Sequence, residues 1–82
     1  MIKRGELIPG AHYIFEKDFC SHILLSYNED FVYSICVCSY RSNILFVKNL
    51  RADWEHWINN LCVHIMFNDM FMSFKERSDD KC

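Results

Sequence analysis

The clearest pattern of apolar and polar positions lies in residues 19–40, where two runs of β-branched and aromatic residues flank a polar cluster, Asn28-Glu29-Asp30. Asn and Asp favour turns, and the flanking runs favour strands. The pattern therefore predicts a β-hairpin, and the rest of the chain is organised around it.

Two loop lengths compete for the register of this hairpin. A loop of Asn28, Glu29 and Asp30 gathers apolar residues on one face, in the pairs Tyr27 with Phe31, Leu25 with Tyr33 and Ile23 with Ile35. The other face is then mixed, with the pairs Ser26 with Val32, Leu24 with Ser34, His22 with Cys36 and Cys20 with Cys38. A loop of Glu29 and Asp30 alone sets Ser26 against Tyr33 and scatters polar groups over both faces, because a slip of one residue exchanges the faces of a strand. We therefore expect the longer loop.

Two further strands flank the hairpin. Pro9-Gly10 predicts a turn, because Pro fixes φ and Gly accepts a positive φ, and the alternation of residues 11–17 predicts a half-buried strand after it. Residues 43–48 (NILFVK) form another strand that is apolar on both sides. Such a pattern is typical of a strand that is covered on both faces.

The period changes from two to about 3.6 at Leu50. Apolar residues then fall on one helical stripe, made of Leu50, Trp54, Trp57, Ile58, Leu61 and Ile65. The stripe predicts an amphipathic helix over residues 50–66 that packs on the sheet, with Asn49 as its N-cap.

A second hairpin competes for the end of this helix. Asn68-Asp69 separates two apolar runs, which pair as Phe67 with Met70, Ile65 with Met72 and Val63 with Phe74. We favour the helix, because its stripe continues through Ile65. Both alternatives leave residues 70–75 as a strand, and the charged residues 76–82 contain no apolar anchor and are expected to fray.

Together these elements predict an α+β fold with an antiparallel sheet of four to five strands, a meander, and one amphipathic helix packed on one face. We expect a single domain over residues 1–82, with an N-terminal arm (1–10), a four-stranded meander (11–48), the helix (50–66), a last strand (70–75) and a frayed tail (76–82). At this length the chain buries only about 60–65% of its unfolded surface.

The composition adds a surplus of apolar surface. Apolar residues make up 51% of the chain, which is more than so small a domain usually needs. A helix on one face leaves the other face of the sheet uncovered, and the favoured register places there Leu24, Cys36, Cys38, Leu45 and Val47. We expect these residues to form an interface with a protein partner or with a second copy in a homodimer.

Charge and targeting features narrow the classes of function. The formal net charge is −2, and Lys and Arg occur singly or in pairs rather than as a stripe, which disfavours a nucleic-acid partner. No apolar run approaches the roughly 20 residues of a membrane span, and MIKRGELIPG lacks the apolar core of a signal peptide. Five cysteines, an odd number, indicate reduced thiols. We therefore expect a cytoplasmic protein with no membrane contact.

Cysteine and histidine residues at a spacing of two could carry chemistry. The favoured register brings Cys20, His22, Cys36 and Cys38 together, formally a zinc set of three cysteines and one histidine. Structural zinc sites usually draw their cysteines from tight turns, and none is present here, so we expect no metal and no cofactor.

A Cys–His nucleophile is disfavoured as well, because the cysteines lie inside strand or helix patterns where nothing stabilises a thiolate. The sequence thus predicts no enzyme.

Aromatic side chains give the last alternative. Tyr13, Tyr27, Phe31 and Tyr33 would form a platform for stacking bases, as in small nucleic-acid-binding barrels, but the same residues make a good core face.

The composition, rich in Phe, Ile, Asn and Met, resembles that of small accessory proteins of bacteriophages, and this resemblance implies a protein that binds and inhibits a host protein. We expect a non-enzymatic protein-binding module. A nucleic-acid-binding β-barrel domain and a zinc-stabilised interaction module are the alternatives.

Overall fold

A computed structural model describes residues 2–17, 20–38 and 44–77. These residues form six β-strands and one α-helix. The elements are β1 (His12–Phe15), β2 (Cys20–Tyr27), β3 (Phe31–Cys38), β4 (Ile44–Leu50), α1 (Arg51–Asn60), β5 (Val63–Phe67) and β6 (Met70–Phe74). The α+β class is confirmed, with six strands in place of four to five.

The strands form one antiparallel sheet in the order β4-β3-β2-β1-β5-β6. The first four strands are a meander, as predicted. The helix then carries the chain from the edge strand β4 back across the sheet, so that β5 pairs with β1 on its far side. Because α1 crosses one face only, the two faces of the sheet have different surroundings.

The β2–β3 hairpin uses both of the competing registers. From Cys20 opposite Cys38 to Leu24 opposite Ser34, the pairs are those of the longer loop, whereas Tyr27 lies opposite Val32, as in the shorter loop. The shift occurs between Leu24 and Ser26. An extra residue in one strand of an antiparallel pair is a β-bulge, so Leu25 absorbs the difference. The predicted register is right in the body of the hairpin and wrong next to its turn.

The helix ends earlier than predicted. It stops at Asn60 rather than near residue 66, and Val63–Phe67 is a strand that pairs with β6 in the register of the competing hairpin. Val63 and Ile65 are fully buried there. Strand pairing on both sides of β5 satisfies its backbone polar groups and buries these side chains as well as the helical stripe would. Asn68, with φ 55°, takes the left-handed conformation at the hairpin turn.

The start of α1 is held by the β2–β3 turn instead of by a side-chain cap. Asn49 lies within β4, so its prediction as the N-cap is wrong, and the cap position is Leu50. The backbone N–H of Arg51 donates to the carbonyl of Asp30 at 2.8 Å. The Arg51 guanidinium donates to the carbonyl of Asn28 at 3.1 Å. A tertiary contact thereby pairs one of the N–H groups that every helix leaves unpaired at its start.

The segment before β1 is anchored to the helix. Ile2 is buried in the core, and Arg4 donates hydrogen bonds to the carbonyls of Asn59 and Leu61, both at 2.9 Å. The predicted Pro9-Gly10 turn is present: the N–H of Ala11 donates to the carbonyl of Ile8, and Gly10 has φ 91°.

The stretch after β6 was predicted to fray. Within it, the N–H of Arg77 donates to the carbonyl of Asn60 at 3.1 Å. Residues 78–82 lie outside the described part of the chain.

The core lies on the side of the sheet opposite to the one predicted. Its fully buried members are Ala11, Tyr13, Leu24, Val32, Trp54, Ile58, Val63 and Ile65. We expected Leu24 on the uncovered face, and that assignment is wrong. The pairing of β1 with β2 sets Tyr13 opposite His22 and so puts Leu24 on the core side, and the small, buried Ser34 on the same face leaves room for the tryptophans of the helix.

The fourth strand was expected to be covered on both sides, and this expectation is also wrong. β4 is an edge strand, and Ile44, Leu45 and Phe46 have relative exposures of 63%, 50% and 80%. Apolar residues on both sides of a strand thus mark an exposed edge here rather than a central position.

Candidate functional site

The face of the sheet turned away from α1, called the open face below, carries a continuous row of side chains. Paired residues in neighbouring strands share a face, so the row can be traced from the register. It crosses all six strands of the described sheet and is called the apolar row: Phe46, Ile35, Ile23, His12, Met66 and Phe71. Five of its six members are apolar.

The exposed apolar side chains of this row lie toward its two ends, and His12 near the middle is exposed as well. Phe46 on β4 is 80% exposed, and Phe71 on β6 and Met66 on β5 are 55% and 42% exposed. Ile44, in the next row, adds a further exposed side chain at 63%. Since one aromatic side chain carries roughly 150–250 Å², the exposed apolar area is on the order of 500 Å². This area is divided between the two ends of the sheet, and its total lies within the range found for the largest patch on a lone soluble domain.

A hydrogen-bonded relay lies beside the row, at the β6 end. The Oγ of Ser73 is 2.7 Å from Nδ1 of His64, and Nε2 of His64 is 3.0 Å from Oε1 of Glu16. The hydrogen bond from His64, followed by one from Cys62, lowers the pKa of Glu16. An ionised Glu16 accepts the proton of Nε2, so in the neutral ring Nδ1 accepts the hydroxyl proton of Ser73. Phe71 stacks on the imidazole with a ring-centre distance of 5.9 Å.

The relay has the order of groups that a nucleophilic site uses, namely hydroxyl, imidazole and carboxylate. The Glu16 and His64 side chains are 56% and 28% exposed, however, so water screens the charges on which such a site depends. The two hydrogen bonds fix the orientation of the His64 imidazole, and they connect β5 to β6 and to the residue that follows β1 on the open face. The contact between His64 and Ser73 could have been predicted from the sequence, because the competing hairpin places these two residues opposite each other. Glu16 was missed, because no pattern predicted that β1 pairs with β5.

Two of the residues predicted as an interface, Cys36 and Val47, line a cleft beneath α1. The cleft has a volume of about 220 Å³ and is lined by Phe15, His22, Cys36, Val47, Asn49, Trp57 and Leu61. Cys36 and Val47 are therefore half-buried in the cleft wall, Leu24 is core, and Leu45 is half-exposed at the β4 edge. The side chain of Cys38 lies outside the described residues. The four described members of the predicted interface are therefore not on the open face.

The predicted zinc set is brought together only at the level of the backbone. Cys20 lies opposite Cys38, and His22 lies opposite Cys36, as the favoured register requires. The Cys20 and Cys38 side chains are outside what the structure describes. Among the described side chains, no group of three or more His, Cys, Asp or Glu residues has a metal-binding arrangement. The independence of the fold from metal stays a prediction.

The predicted aromatic platform is divided between the two faces. Tyr13 is fully buried under α1, and Tyr27 lies on the same side because the bulge turns it toward Val32. Phe31 and Tyr33 lie on the open face, where the Lys48 ammonium sits 4.0 Å from the centre of the Phe31 ring. The four rings therefore do not form one stacking surface.

Burial also changes the chemistry of Tyr13. Desolvation raises the pKa of its phenol to about 12. Its hydroxyl accepts a hydrogen bond from the N–H of Ile8 and donates one to the carbonyl of Glu6, both at 2.8 Å. Tyr13 thus ties the N-terminal segment to the sheet.

Comparison of the chain with protein-family models, with curated proteins and with solved structures finds no match. In the described residues, no helix has the length and apolar character that crossing a membrane requires.

Proposed function

We propose that the protein is a non-enzymatic protein-binding module that contacts its partner through the open face of the sheet. The observation that carries this proposal is the apolar row, which crosses six strands and remains exposed at Phe46, Met66 and Phe71. A patch of this size, built on a sheet rather than on loops, offers a surface that is already ordered before binding.

The chemistry of the row favours a protein with an apolar surface over a nucleic acid. Five of its six side chains are apolar and the sixth is His12, so the row offers no Lys or Arg to a phosphate backbone. Lys48 lies beside the row, and its ammonium is placed over the Phe31 ring. The apolar character of the row and the position of Lys48 over a ring both support a partner whose own surface is apolar.

The finer form of the proposal concerns what binding achieves. The composition resembles that of small accessory proteins of bacteriophages, many of which bind a host protein and inhibit it. The proposal in this form is that covering a functional surface of the bound protein inhibits it. Such inhibition needs area and shape rather than catalytic groups.

Two methionines in one hairpin provide the test. Met66 and Met70 are 42% and 39% exposed, and they lie on opposite faces, because Met66 belongs to the apolar row and Met70 does not. A Met66→Glu variant places a charge in the row, whereas Met70→Glu places the same charge on the other side. We expect Met66→Glu to weaken partner binding at least tenfold, and Met70→Glu to change it less than twofold.

The partner is first captured from a lysate of the source cells, identified by mass spectrometry and purified, and its Kd is then measured for each variant by calorimetry. Equal affinities of the Met66→Glu variant and the unaltered chain would contradict the proposal. A bound species that nuclease treatment removes would instead favour the nucleic-acid alternative.

A further inference from the structure

Among the described residues, one edge of the sheet has no neighbouring strand. β4 is the last strand in the sheet order, and within the described residues its backbone is paired with β3 on one side only. The outer edge of a terminal strand presents a row of N–H and C=O groups that can pair with another strand. β4 spans Ile44–Leu50, which is long enough for several such pairs.

Apart from Lys48, the side chains of β4 do not discourage such pairing. Ile44, Leu45 and Phe46 follow one another and are each at least half exposed, at 63%, 50% and 80%. They alternate in direction, so the strand is apolar on both faces at the same edge. Natural edge strands usually carry charges, prolines or bulges that prevent association, and the single charged residue of β4 is Lys48.

The other edge strand, β6, has more side-chain contacts with its own chain, although Phe71 remains 55% exposed. In β6 the ring of Phe71 stacks on His64, and the Arg4 guanidinium lies 5.6 Å from the centre of the Phe74 ring. Both aromatic side chains of that edge thus have partners within the chain. The two edges differ in the contacts that their own chain supplies.

The sequence of β4 is also complementary to itself. In an antiparallel pair of two β4 strands related by a twofold axis at Phe46, Phe46 faces its own copy, Leu45 faces Val47, and Ile44 faces Lys48. The first two are apolar pairs of the kind that stabilise neighbouring strands, and the third sets a lysine side chain beside an isoleucine. The two Lys48 residues are then four positions apart along the strand, about 13 Å, which exceeds the Debye length of about 8 Å at physiological salt. Like charges therefore do not oppose the pairing.

We infer that two copies of the chain form a twofold dimer by antiparallel pairing of their β4 strands, so that two six-stranded sheets join into one. This goes beyond the proposed function, because it concerns the edge of the sheet rather than its open face. The joined sheet makes the apolar row continuous across the axis, from Phe71 of one protomer to Phe71 of its partner. Pairing two short edge strands buries on the order of 1,000 Å² in total, which is at the low end for specific interfaces. We expect a weak dimer, which dissociates in the micromolar range.

Sedimentation equilibrium of the full chain over about 1–500 μM tests the inference, as does the effect of three substitutions. The mass should rise from 9.9 kDa toward twice that value. Phe46→Glu and Leu45→Glu place a charge on opposite faces of the same edge, and we expect each to shift the midpoint of dimerisation by at least tenfold in concentration. Met66→Glu, on the open face but away from the edge, should leave the midpoint unchanged.

Other patterns overturn the inference. A chain that stays at 9.9 kDa throughout has no such dimer. Loss of the dimer with Phe46→Glu and Met66→Glu, but not with Leu45→Glu, means that two open faces stack instead. Partner binding through the open face is tested by the affinity of the Met66→Glu variant for the partner, and dimerisation through β4 is tested by the mass in solution. Either proposal can therefore fail while the other holds.

Hydrogen exchange of the unaltered chain covers the case in which a variant does not fold. Amides of β4 should exchange at least threefold more slowly at 500 μM than at 5 μM, a concentration range that brackets micromolar dissociation. Amides of β6 serve as the internal control and should exchange equally at both concentrations. Equal exchange in β4 would contradict edge pairing.

Discussion

The two faces of the sheet are built from similar residues but differ in burial. Leu24, on the face that α1 covers (the covered face), is fully buried, whereas its neighbour Leu25 is 42% exposed. Val32 is likewise buried, whereas Phe46, a larger apolar residue, is 80% exposed on the open face. Burial in this protein is therefore decided by where α1 lies and not by how apolar a position is.

The covered face is the one that fits two tryptophans. The indole of Trp54 meets Tyr13 and Phe15 edge to face, with ring-centre distances of 5.2 and 5.8 Å, and it lies 5.6 Å from the ring centre of His22. Such perpendicular arrangements are favourable for aromatic pairs. The small Ser34 is buried on the same face. Large rings on the helix thus pack against a mixture of rings and small residues on the sheet.

Adjacent leucines give the largest expected contrast between the faces. Leu24→Ala removes a fully buried side chain and should lower the free energy of unfolding by about 2–5 kcal/mol, because it leaves a cavity. Leu25→Ala, at the bulge and 42% exposed, should lower it by less than about 1 kcal/mol. Urea denaturation followed by circular dichroism measures both. Equal losses would mean that the open face is covered in solution.

The elements of this fold were largely predictable, since local patterns determine them. The Asn28-Glu29-Asp30 turn and the alternation on either side of it fixed most of the β2–β3 register. The bulge at Leu25 was not predictable, because it depends on a conflict between the turn, which favours a two-residue loop, and the strands, which favour the other register. Each alternative was correct over part of the hairpin.

The side on which α1 packs could not be predicted, and the candidate site depended on it. Both faces of β2 and β3 are apolar enough to form a core, so the decision depends on how β1 pairs with β2. That register sets Tyr13 opposite His22 and so puts Leu24 on the core side. The strand β5 was ambiguous for a related reason: Val63 and Ile65 satisfy a strand period and a helical stripe equally well.

A smaller effect is expected from the hydroxyl that fastens the N-terminal segment to the covered face. Tyr13→Phe leaves the N–H of Ile8 and the carbonyl of Glu6 without their partner. Leaving such groups unpaired costs about 1–3 kcal/mol, which urea denaturation at pH 7 would detect. An unchanged free energy of unfolding would mean that water replaces the hydroxyl.

The pKa of Tyr13 adds a pH dependence of known sign. Burial raises the pKa from 10.0 to about 12, so the folded chain holds the phenolic proton more tightly than the unfolded chain. This contribution to stability is fully present below pH 10 and is lost as the pH rises through 12. We expect the unfolding free energy to fall over that window, and to fall less steeply in Tyr13→Phe. Identical slopes would contradict the burial of Tyr13.

The smallest effect is expected on the open face, at the relay. Glu16→Gln removes the carboxylate that accepts a hydrogen bond from His64, but the pair is exposed and exposed pairs contribute little to stability. The pKa of Glu16 is lowered in the folded chain, so its contribution is present above the ordinary value of 4.5 and disappears as the pH falls through the folded value. We expect the melting temperatures of the two proteins to differ slightly at pH 7 and to converge at pH 3. A difference as large as that of Tyr13→Phe would mean that the relay is shielded from water. The open face would then be covered, and the contrast between the two faces would not hold.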